Sequence, residues 1–275
     1  MNSYKLKNGV AIPEIGFGTW QLTENVEQVI HWALNAGYTH IDTAVVYKNE
    51  KEIAKAIKTS GKKRSDLFLT TKVWASERGY EKAKNAIETS LANLETDVID
   101  LMLIHWPAKT SQENWEEENA QTWKALEKYY AQGKIKAIGV SNFMVHHLEA
   151  LLKTAKVKPM VNQIEYHPGY LQEDVVAFCK EHDILLEAWS PIGSGRILED
   201  QLLNDLAKKY NTNVGAICIQ FCLQNGILPL PKSTSQKNIE NNIQINFQLD
   251  DEDMVLIKNM PQTGWSGLNP DEVPF

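Results

Sequence analysis

Four side chains with complementary acid–base chemistry lie at or just after the ends of three successive apolar runs. Asp42 and Tyr47 follow the first run, Lys72 lies at the end of the second, and His105 closes the third. Taken alone, a carboxylate at a strand end is more often a turn or capping residue. Because the carboxyl ends of parallel strands meet at one edge of a sheet, the four groups together predict a single site.

The chemistry of these groups is that of proton delivery. A phenol has a pKa of about 10, too high for easy proton exchange near neutral pH. An ammonium at Lys72 stabilises the phenolate and lowers that pKa, and a carboxylate at Asp42 holds the ammonium in place. We therefore expect Tyr47 to act as a general acid and His105 to orient a substrate carbonyl oxygen.

Protonating a carbonyl oxygen is productive only if a nucleophile or a hydride reaches the carbon. The sequence has no serine-centred elbow, no thiol beside a base and no cluster of metal ligands. A bound hydride donor is therefore required. The hypothesis can be checked against the segments that follow the remaining strands.

Three later segments are typical of a hydride donor's binding site. Ser141 with Asn142, and Gln163, offer hydroxyl and amide groups that suit a carboxamide, and the indole of Trp189 could stack on a flat ring. The segment 228–235 runs from a strand into a helix start, where backbone N–H groups and a lysine could hold phosphate. An ordinary capped helix is the alternative interpretation of that segment.

Other dehydrogenase folds have different sequence motifs. No Gly-x-Gly-x-x-Gly occurs, and the P-loop pattern is also absent. Two Tyr-x-x-x-Lys pairs begin at Tyr47 and Tyr130, as in short-chain dehydrogenases. Without a glycine-rich fingerprint near the N-terminus both pairs are chance matches.

The composition of the chain excludes some classes of function. The formal net charge is −7, the pI is near 5.6 and 43% of the 275 residues are hydrophobic. An acidic chain of this kind disfavours binding to nucleic acid or to a membrane surface. Cys218 and Cys222, four apart on a predicted helix, lack neighbouring ligands and are expected to be core thiols. We expect a cytoplasmic monomer with no membrane span, no metal and no nucleic-acid partner.

The chain alternates short apolar runs with amphipathic segments. A hairpin is predicted over 4–12, with a two-residue turn at Asn8-Gly9. Strands are predicted at 15–19, 40–42, 67–73, 98–105, 135–141, 160–165, 185–189 and 228–231, and helices are predicted to start near Thr23, Asn49, Gly79, Trp115, Met144, Gln172, Gln201 and Ser235. Further helices are expected over 214–224 and 250–258.

This alternation predicts the fold. Near-continuous apolar runs are expected for strands of a parallel sheet that is buried on both faces. We predict an α/β fold, a (β/α)8 TIM barrel with an N-terminal β-hairpin and an irregular C-terminal tail over 260–275. No compositional boundary interrupts the series, so we expect one domain over 1–275.

Several long motifs, in order along the chain, carry a resemblance. They are Gly37-Tyr38-x-x-Ile41-Asp42-Thr43-Ala44, Leu103-Ile104-His105-Trp106-Pro107, Gly139-Val140-Ser141-Asn142-Phe143, Asn162-Gln163-Ile164-Glu165-Tyr166-His167-Pro168 and Pro231-Lys232-Ser233. On these residues the chain resembles the aldo-keto reductase family over essentially its whole length. It is most similar to small bacterial members that reduce 2,5-diketogluconate, glyoxal or methylglyoxal.

The resemblance implies residue roles and a cofactor. It implies a catalytic tetrad of Asp42, Tyr47, Lys72 and His105 and an NADPH molecule extended across the barrel mouth. The implied cofactor-binding residues are Ser141, Asn142, Gln163, Trp189, Ser190, Lys232, Ser233, Asn238 and Asn242, and the implied substrate-binding residues are Trp20, Trp74, Trp106 and Trp265. For Trp265, packing on the outside of the barrel is an equal alternative.

Two positions depart from the family pattern and bear on the cofactor. Asn238 stands where the family often has an arginine, and Asn241 stands where a glutamate commonly precedes the adenine-contacting Asn242. We therefore expect a modest preference for NADPH, with weaker use of NADH. The expected reaction is reduction of small aldehydes and ketones, such as dicarbonyl or sugar-derived compounds. The alternative is a cofactor-binding redox-sensor barrel that acts through a protein partner, and the intact tetrad favours catalysis.

Overall fold

Eight parallel strands form a barrel, and a two-stranded antiparallel hairpin precedes it. The computed structural model describes residues 2–275. The hairpin consists of β1 (Ser3–Lys5) and β2 (Ala11–Pro13). The barrel strands, in sheet order, are β3 (Phe17–Gly18), β4 (His40–Asp42), β5 (Phe68–Val73), β6 (Ile99–Ile104), β7 (Ile135–Ser141), β8 (Val161–Glu165), β9 (Leu185–Trp189) and β10 (Leu228–Leu230). The predicted (β/α)8 TIM barrel is confirmed.

Helices surround the barrel. They are α1 (Val26–Ala36), α2 (Glu50–Thr59), α3 (Tyr80–Asn93), α4 (Trp115–Ala131), α5 (Val145–Leu152), α6 (Glu173–Glu181), α7 (Gln201–Lys209), α8 (Val214–Gln224), α9 (Gln236–Ile243) and α10 (Asp251–Lys258). The prediction that the first helix starts near Thr23 is wrong by a few residues, because Asn25 takes a left-handed conformation just before the helix. Over residues 2–275 none of these helices is both long and apolar enough to cross a membrane.

The barrel closes between its first and last strands. The backbone N–H groups of Gly16 and Gly18 donate to the carbonyl oxygens of Pro229 and Pro231, at 3.1 and 3.0 Å. Both prolines lack an N–H group, so the seam has donors only on the β3 side. Pro229 is tolerated in β10, and Pro231 directly after it, because both face this sparsely bonded seam and not the ladder with β9.

The N-terminal hairpin has a longer turn than expected. The N–H of Leu6 donates to the carbonyl of Val10 at 2.9 Å, and the N–H of Gly9 donates to the carbonyl of Leu6 at 2.8 Å. The loop therefore contains residues 7–9, and Gly9 takes a left-handed φ of 88°. The predicted two-residue turn at Asn8-Gly9 is wrong, because the glycine serves as the left-handed residue of a three-residue loop.

The strand register brings the reactive side chains to one end of the barrel. Every residue of β4, β5 and β6 is buried, as expected for strands enclosed between helices and a packed interior. Asp42 pairs with Gly18 on one side and with Thr70 on the other, and Lys72 pairs with Leu103. The carboxyl ends of β4 to β6 consequently face a common space.

Candidate active site

A cavity of about 1190 Å³ opens at the carboxyl ends of the barrel strands. Asp42, Tyr47 and His105 contribute to its wall, and Lys72 lies buried behind them. The other predicted site residues that line the cavity are Ser141, Asn142, Gln163, Trp189, Ser190, Lys232, Ser233, Asn238, Asn242, Trp20, Trp74 and Trp106. The structure thus brings together every predicted site residue except Trp265, and their roles remain predictions.

A buried ion pair forms the base of the site. The Nζ of Lys72 donates to Oδ1 of Asp42 at 2.6 Å and to the backbone carbonyl of Thr43 at 3.0 Å. The Lys72 side chain is fully buried and that of Asp42 is 6% exposed. Burial by itself lowers the pKa of Lys72, but the charge and the hydrogen bond of Asp42 contribute to a net rise above its usual value. Lys72 is therefore a cation in this site.

Tyr47 places its hydroxyl group between the ion pair and His105. Its Oη lies 3.4 Å from Nε2 of His105, and the Nζ of Lys72 lies 5.3 Å from the centre of its ring. Burial raises the pKa of Tyr47 to about 12, while Lys72 acts in the opposite direction and Asp42 adds to the rise. Lys72 lowers the pKa of Tyr47, as expected. The predicted net decrease in this pKa is wrong, because burial raises it by more.

His105 is a neutral imidazole. Burial lowers its pKa well below the usual value, and the charge of Lys72 lowers it further. Its Nδ1 is buried and has no hydrogen-bond partner among residues 2–275, and the ring of Trp74 packs edge-on at 5.0 Å. The Nε2 side faces the hydroxyl of Tyr47, so a carbonyl oxygen placed there would meet both groups.

Hydrogen bonds fix the opposite wall of the cavity. Ser141 donates its hydroxyl to the backbone carbonyl of Gln163 at 2.8 Å. The side chain of Asn142 donates to the backbone carbonyl of His105 at 2.9 Å and accepts the indole N–H of Trp189 at 2.7 Å. Asn142 itself has a left-handed φ of 62°, a conformation that asparagine tolerates better than most residues. This wall is therefore bonded directly to the backbone of His105, the residue that follows β6.

Sequence reasoning missed a buried acid beneath this wall. The Nε2 of Gln163 makes two hydrogen bonds. It donates to Oδ2 of Asp42 at 2.9 Å and to Oε2 of Glu187 at 2.7 Å. Burial raises the pKa of Glu187 to about 8; Asp42 adds to the rise, and Gln163 and Lys72 oppose it. The available signal was a glutamate inside the otherwise apolar strand β9.

The far end of the cavity is basic. Lys232 lines it and forms no ion pair with the described residues, and partial burial lowers the pKa of its ammonium. Helix α9 begins beside it with no side-chain cap at Ser235, whose N–H donates to the hydroxyl of Ser233 at 3.0 Å. Lys237 and Asn238 line the same wall. Uncapped helix N–H groups and an unpaired lysine are suited to an anionic group.

Ser190 lies at the start of a loop that covers the cavity. It has a φ of 49°, and its hydroxyl lies 2.7 Å from that of Ser194, which has a φ of 51°. Further along this loop Arg196 donates to Glu165 at 3.1 Å, which anchors the loop to the end of β8. Ser190 is therefore placed in the cavity wall by a loop with a constrained backbone.

The structure does not bring Trp265, a predicted substrate-binding residue, into the cavity. Its ring stacks on Tyr170 with the centroids 6.0 Å apart, and it does not line the cavity. The neighbouring Ser266 fixes this direction by donating its N–H and its hydroxyl to the Glu165 carboxylate, at 2.9 and 2.6 Å. Trp265 consequently packs on the outside of the barrel, which was the alternative.

Phe275 takes the place that Trp265 was expected to occupy. Its ring lies 4.7 Å from that of Trp74 and 5.4 Å from that of Trp106, and it lines the cavity. Upstream, Asp271 accepts hydrogen bonds from Thr110 and from His146, each at 3.1 Å. The tail thus lines the cavity at Ser266 and Leu268 and returns to it at Phe275 after this anchor, and no local sequence pattern indicates that path.

Comparisons with known proteins agree with this geometry. Residues 14–261 match the sequence model of the aldo/keto reductase family. Glyoxal reductase of Bacillus subtilis is 44% identical over 277 residues, covering 100% of this chain and 98% of that protein. An aldo-keto reductase from a Medee basin deep-sea metagenome library superposes with a TM-score of 0.94 at 38% identity, with both chains fully covered. A mutant of Gox0644 in complex with NADPH has a TM-score of 0.92 at 35% identity, covering 100% of this chain and 99% of the other.

A (β/α)8 barrel with these acid–base groups at the carboxyl ends of its strands is the arrangement of a carbonyl-reducing oxidoreductase. With the match over most of its length, the chain belongs to the aldo-keto reductase family. The family, the fold and the enzyme class predicted from the sequence are confirmed.

A first prediction concerns the buried ion pair. Asp42→Ala should lower the free energy of unfolding by about 3–5 kcal/mol, because it leaves the charge of Lys72 buried without its partner. Adding Lys72→Met should recover part of that loss, because the uncompensated charge is removed. Urea unfolding of both variants measures the effect. Asp205→Ala, at the exposed Asp205–Lys208 pair, is the control and should leave the unfolding midpoint unchanged. Equal losses in both Asp42 variants would contradict the role of the pair.

Proposed function

We propose that this protein is an NADPH-dependent reductase that converts small aldehydes and ketones, particularly dicarbonyl or sugar-derived compounds, into alcohols. The observation that carries the proposal is the position of the Tyr47 hydroxyl, 3.4 Å from Nε2 of a neutral His105 and beside the Lys72–Asp42 ion pair. A phenol in that place can give a proton to a carbonyl oxygen while the ammonium stabilises the phenolate that forms.

The residues along the cavity fit a dinucleotide phosphate. At one end Asn142 and Gln163 have amide oxygens that can accept hydrogen bonds, beside the indole of Trp189. At the other end Lys232 and the start of α9 suit phosphate. The NADPH complex of Gox0644, a protein of the same fold, supports this assignment. NADPH, when bound, supplies the hydride.

Tyr47 holds the proton until it is needed. Since burial raises the pKa of Tyr47 to about 12, its hydroxyl stays protonated through the neutral range. As negative charge develops on the substrate oxygen, the proton moves from Oη of Tyr47 to that oxygen. His105 orients the same oxygen with a neutral N–H, and its lowered pKa keeps it from competing as a proton source. Lys72 stays charged throughout and stabilises the new phenolate.

The substrate end of the cavity favours compact carbonyl compounds. Trp74, Trp106 and Phe275 form its aromatic wall, and the half-exposed Trp20 lies at its edge. The likeness to a glyoxal reductase supports a dicarbonyl substrate. The proposed active form is a single-domain monomer. Cys179, Cys218 and Cys222 are unpaired thiols, as is usual in the reducing cytoplasm.

A second prediction tests the proton donor. Tyr47→Phe should lower kcat by about 10²–10⁴-fold, the range typical for loss of a general acid. The Kd for NADPH should hardly change, because the hydroxyl is assigned to the substrate. Steady-state kinetics with two unrelated aldehydes and cofactor titration provide the measurement. Tyr130→Phe, on the outer surface near Asn8, is the matched control. Near-normal kcat in the Tyr47 variant would show that another group supplies the proton.

A third prediction concerns the tail. Phe275→Ala should change KM and the order of preference among carbonyl compounds, since it removes an aromatic wall in contact with Trp74. Trp265→Ala is the matched control, because that ring packs on Tyr170 outside the cavity. A panel of aldehydes compared by kcat/KM measures both. If Trp265→Ala shifts the preference and Phe275→Ala does not, the assignment of the two rings is wrong.

A fourth prediction concerns the choice of cofactor. A charge-assisted hydrogen bond contributes about 1.5–3 kcal/mol, or about one to two decades in affinity. Lys232 can give one such bond to a 2′-phosphate, but the neutral amide of Asn238 cannot replace an arginine. We therefore expect a modest preference for NADPH, with measurable NADH activity. Asn238→Arg should strengthen NADPH binding selectively, and Lys232→Ala should bring both cofactors near parity.

Protein fluorescence quenching gives the two Kd values for the unmodified protein and for both variants. Lys158→Ala is a control for general loss of positive charge, since this exposed lysine does not line the cavity. Equal affinity for NADH and NADPH in the unmodified protein would exclude Lys232 and Ser233 as the 2′-phosphate site.

A further inference from the structure

Glu187 is an acid in a place where the fold alone requires none. It lies in the middle of β9, pairs with Gln163 on β8 and Leu228 on β10, and is fully buried. It does not line the cavity, so it cannot contact a ligand there. Its one side-chain hydrogen bond among the described residues is the 2.7 Å bond from Gln163. Its effect on the site must therefore pass through Gln163.

The hydrogen bonds of Gln163 leave one atom available. Nε2 carries two hydrogens, and its two acceptors are Asp42 and Glu187. With both hydrogens used toward the barrel interior, the carbonyl Oε1 is the remaining polar atom of a side chain that lines the cavity. A ligand at this point would therefore face a hydrogen-bond acceptor, Oε1 of Gln163, and should carry a hydrogen-bond donor.

Neither acceptor fixes the amide alone. Asp42 disfavours a flipped amide, because the flip would bring Oε1 against a carboxylate oxygen. A single bond to Asp42 still allows the amide to pivot about that contact. The second bond, to Glu187 on the neighbouring strand, removes the pivot. Two acceptors on different strands thus determine the direction in which Gln163 presents Oε1.

A protonated carboxyl group suits this place. Burial and the nearby Asp42 favour the neutral form of Glu187, against the weaker opposing effects of Gln163 and Lys72. A neutral acid accepts the amide hydrogen without adding a second negative charge beside the Asp42–Lys72 pair. Glutamine would provide the same acceptor, whereas methionine would fill the space without one.

We propose that Glu187 is a positioning residue that fixes the amide of Gln163, so that Gln163 presents its carbonyl oxygen to the carboxamide N–H of the nicotinamide cofactor. The inference rests on the proposed function. Glu187 itself contacts neither cofactor nor substrate. Its consequence is selectivity for a ligand that carries an amide N–H over one that carries only a carbonyl.

The test compares NADPH with its reduced 3-acetylpyridine analogue, in which a methyl ketone replaces the carboxamide. The unmodified protein should bind NADPH more tightly by about three- to tenfold, the effect of one hydrogen bond between neutral groups. Glu187→Met should reduce this ratio toward one, and Glu187→Gln should retain it. Glu50→Met is the matched control, because Glu50 is a buried acid that bonds Thr71 and Asn93 away from the cavity. General damage to the fold would weaken both ligands equally and leave the ratio unchanged.

If Glu187→Met does not fold, Glu187→Leu tests the same claim. A further variant tests the acceptor on which the claim depends. Gln163→Met removes the acceptor itself and should also bring the ratio to one. A ratio that persists in either methionine variant would overturn the inference, as would its loss in Glu187→Gln. Failure of the folded, unmodified protein to bind either compound would instead refute the proposed function, so the two failures are distinguishable.

Discussion

The buried contact between Lys72 and Asp42 is the interaction on which the site depends. Removing two ions from water costs several kcal/mol for each ion, and their mutual attraction offsets this only if the remaining hydrogen bonds are also made. Here the ammonium has a second acceptor at the carbonyl of Thr43, and the carboxylate has a second donor at Gln163. The barrel supplies these partners from separate strands. Closure at Gly16 and Gly18 completes the ring of strands that fixes their positions.

Around this ion pair the ionisable groups are neutral. Burial keeps His105 unprotonated, and it favours the protonated forms of Tyr47 and Glu187. In a low-dielectric site a single fixed cation acts strongly on any negative charge that develops next to it. Under the proposed function, that charge develops on the phenol oxygen beside Lys72. The polar groups are oriented before a ligand arrives, so little reorganisation is needed.

Much of this arrangement could be predicted from the sequence. Strands buried on both faces are apolar runs, and the residue types at the ends of β4 to β6 indicated the site. What could not be predicted depends on contacts between distant segments. Trp265 points outward because Ser266 bonds Glu165, about 100 residues earlier. Phe275 reaches the cavity through an anchor at Asp271, and the raised pKa of Tyr47 depends on burial that spacing does not reveal.

The most direct test of the central claim is the fate of deuterium from NADPH labelled with two deuterium atoms at nicotinamide C4. The unmodified protein is given methylglyoxal in ordinary water, and the product is examined by mass spectrometry and NMR. The account predicts one deuterium on the former carbonyl carbon of the alcohol, with the new oxygen-bound hydrogen drawn from solvent through Tyr47. NADPH that binds but is not oxidised by glyoxal, methylglyoxal or a generic aldehyde would contradict the account and favour a redox-sensing barrel.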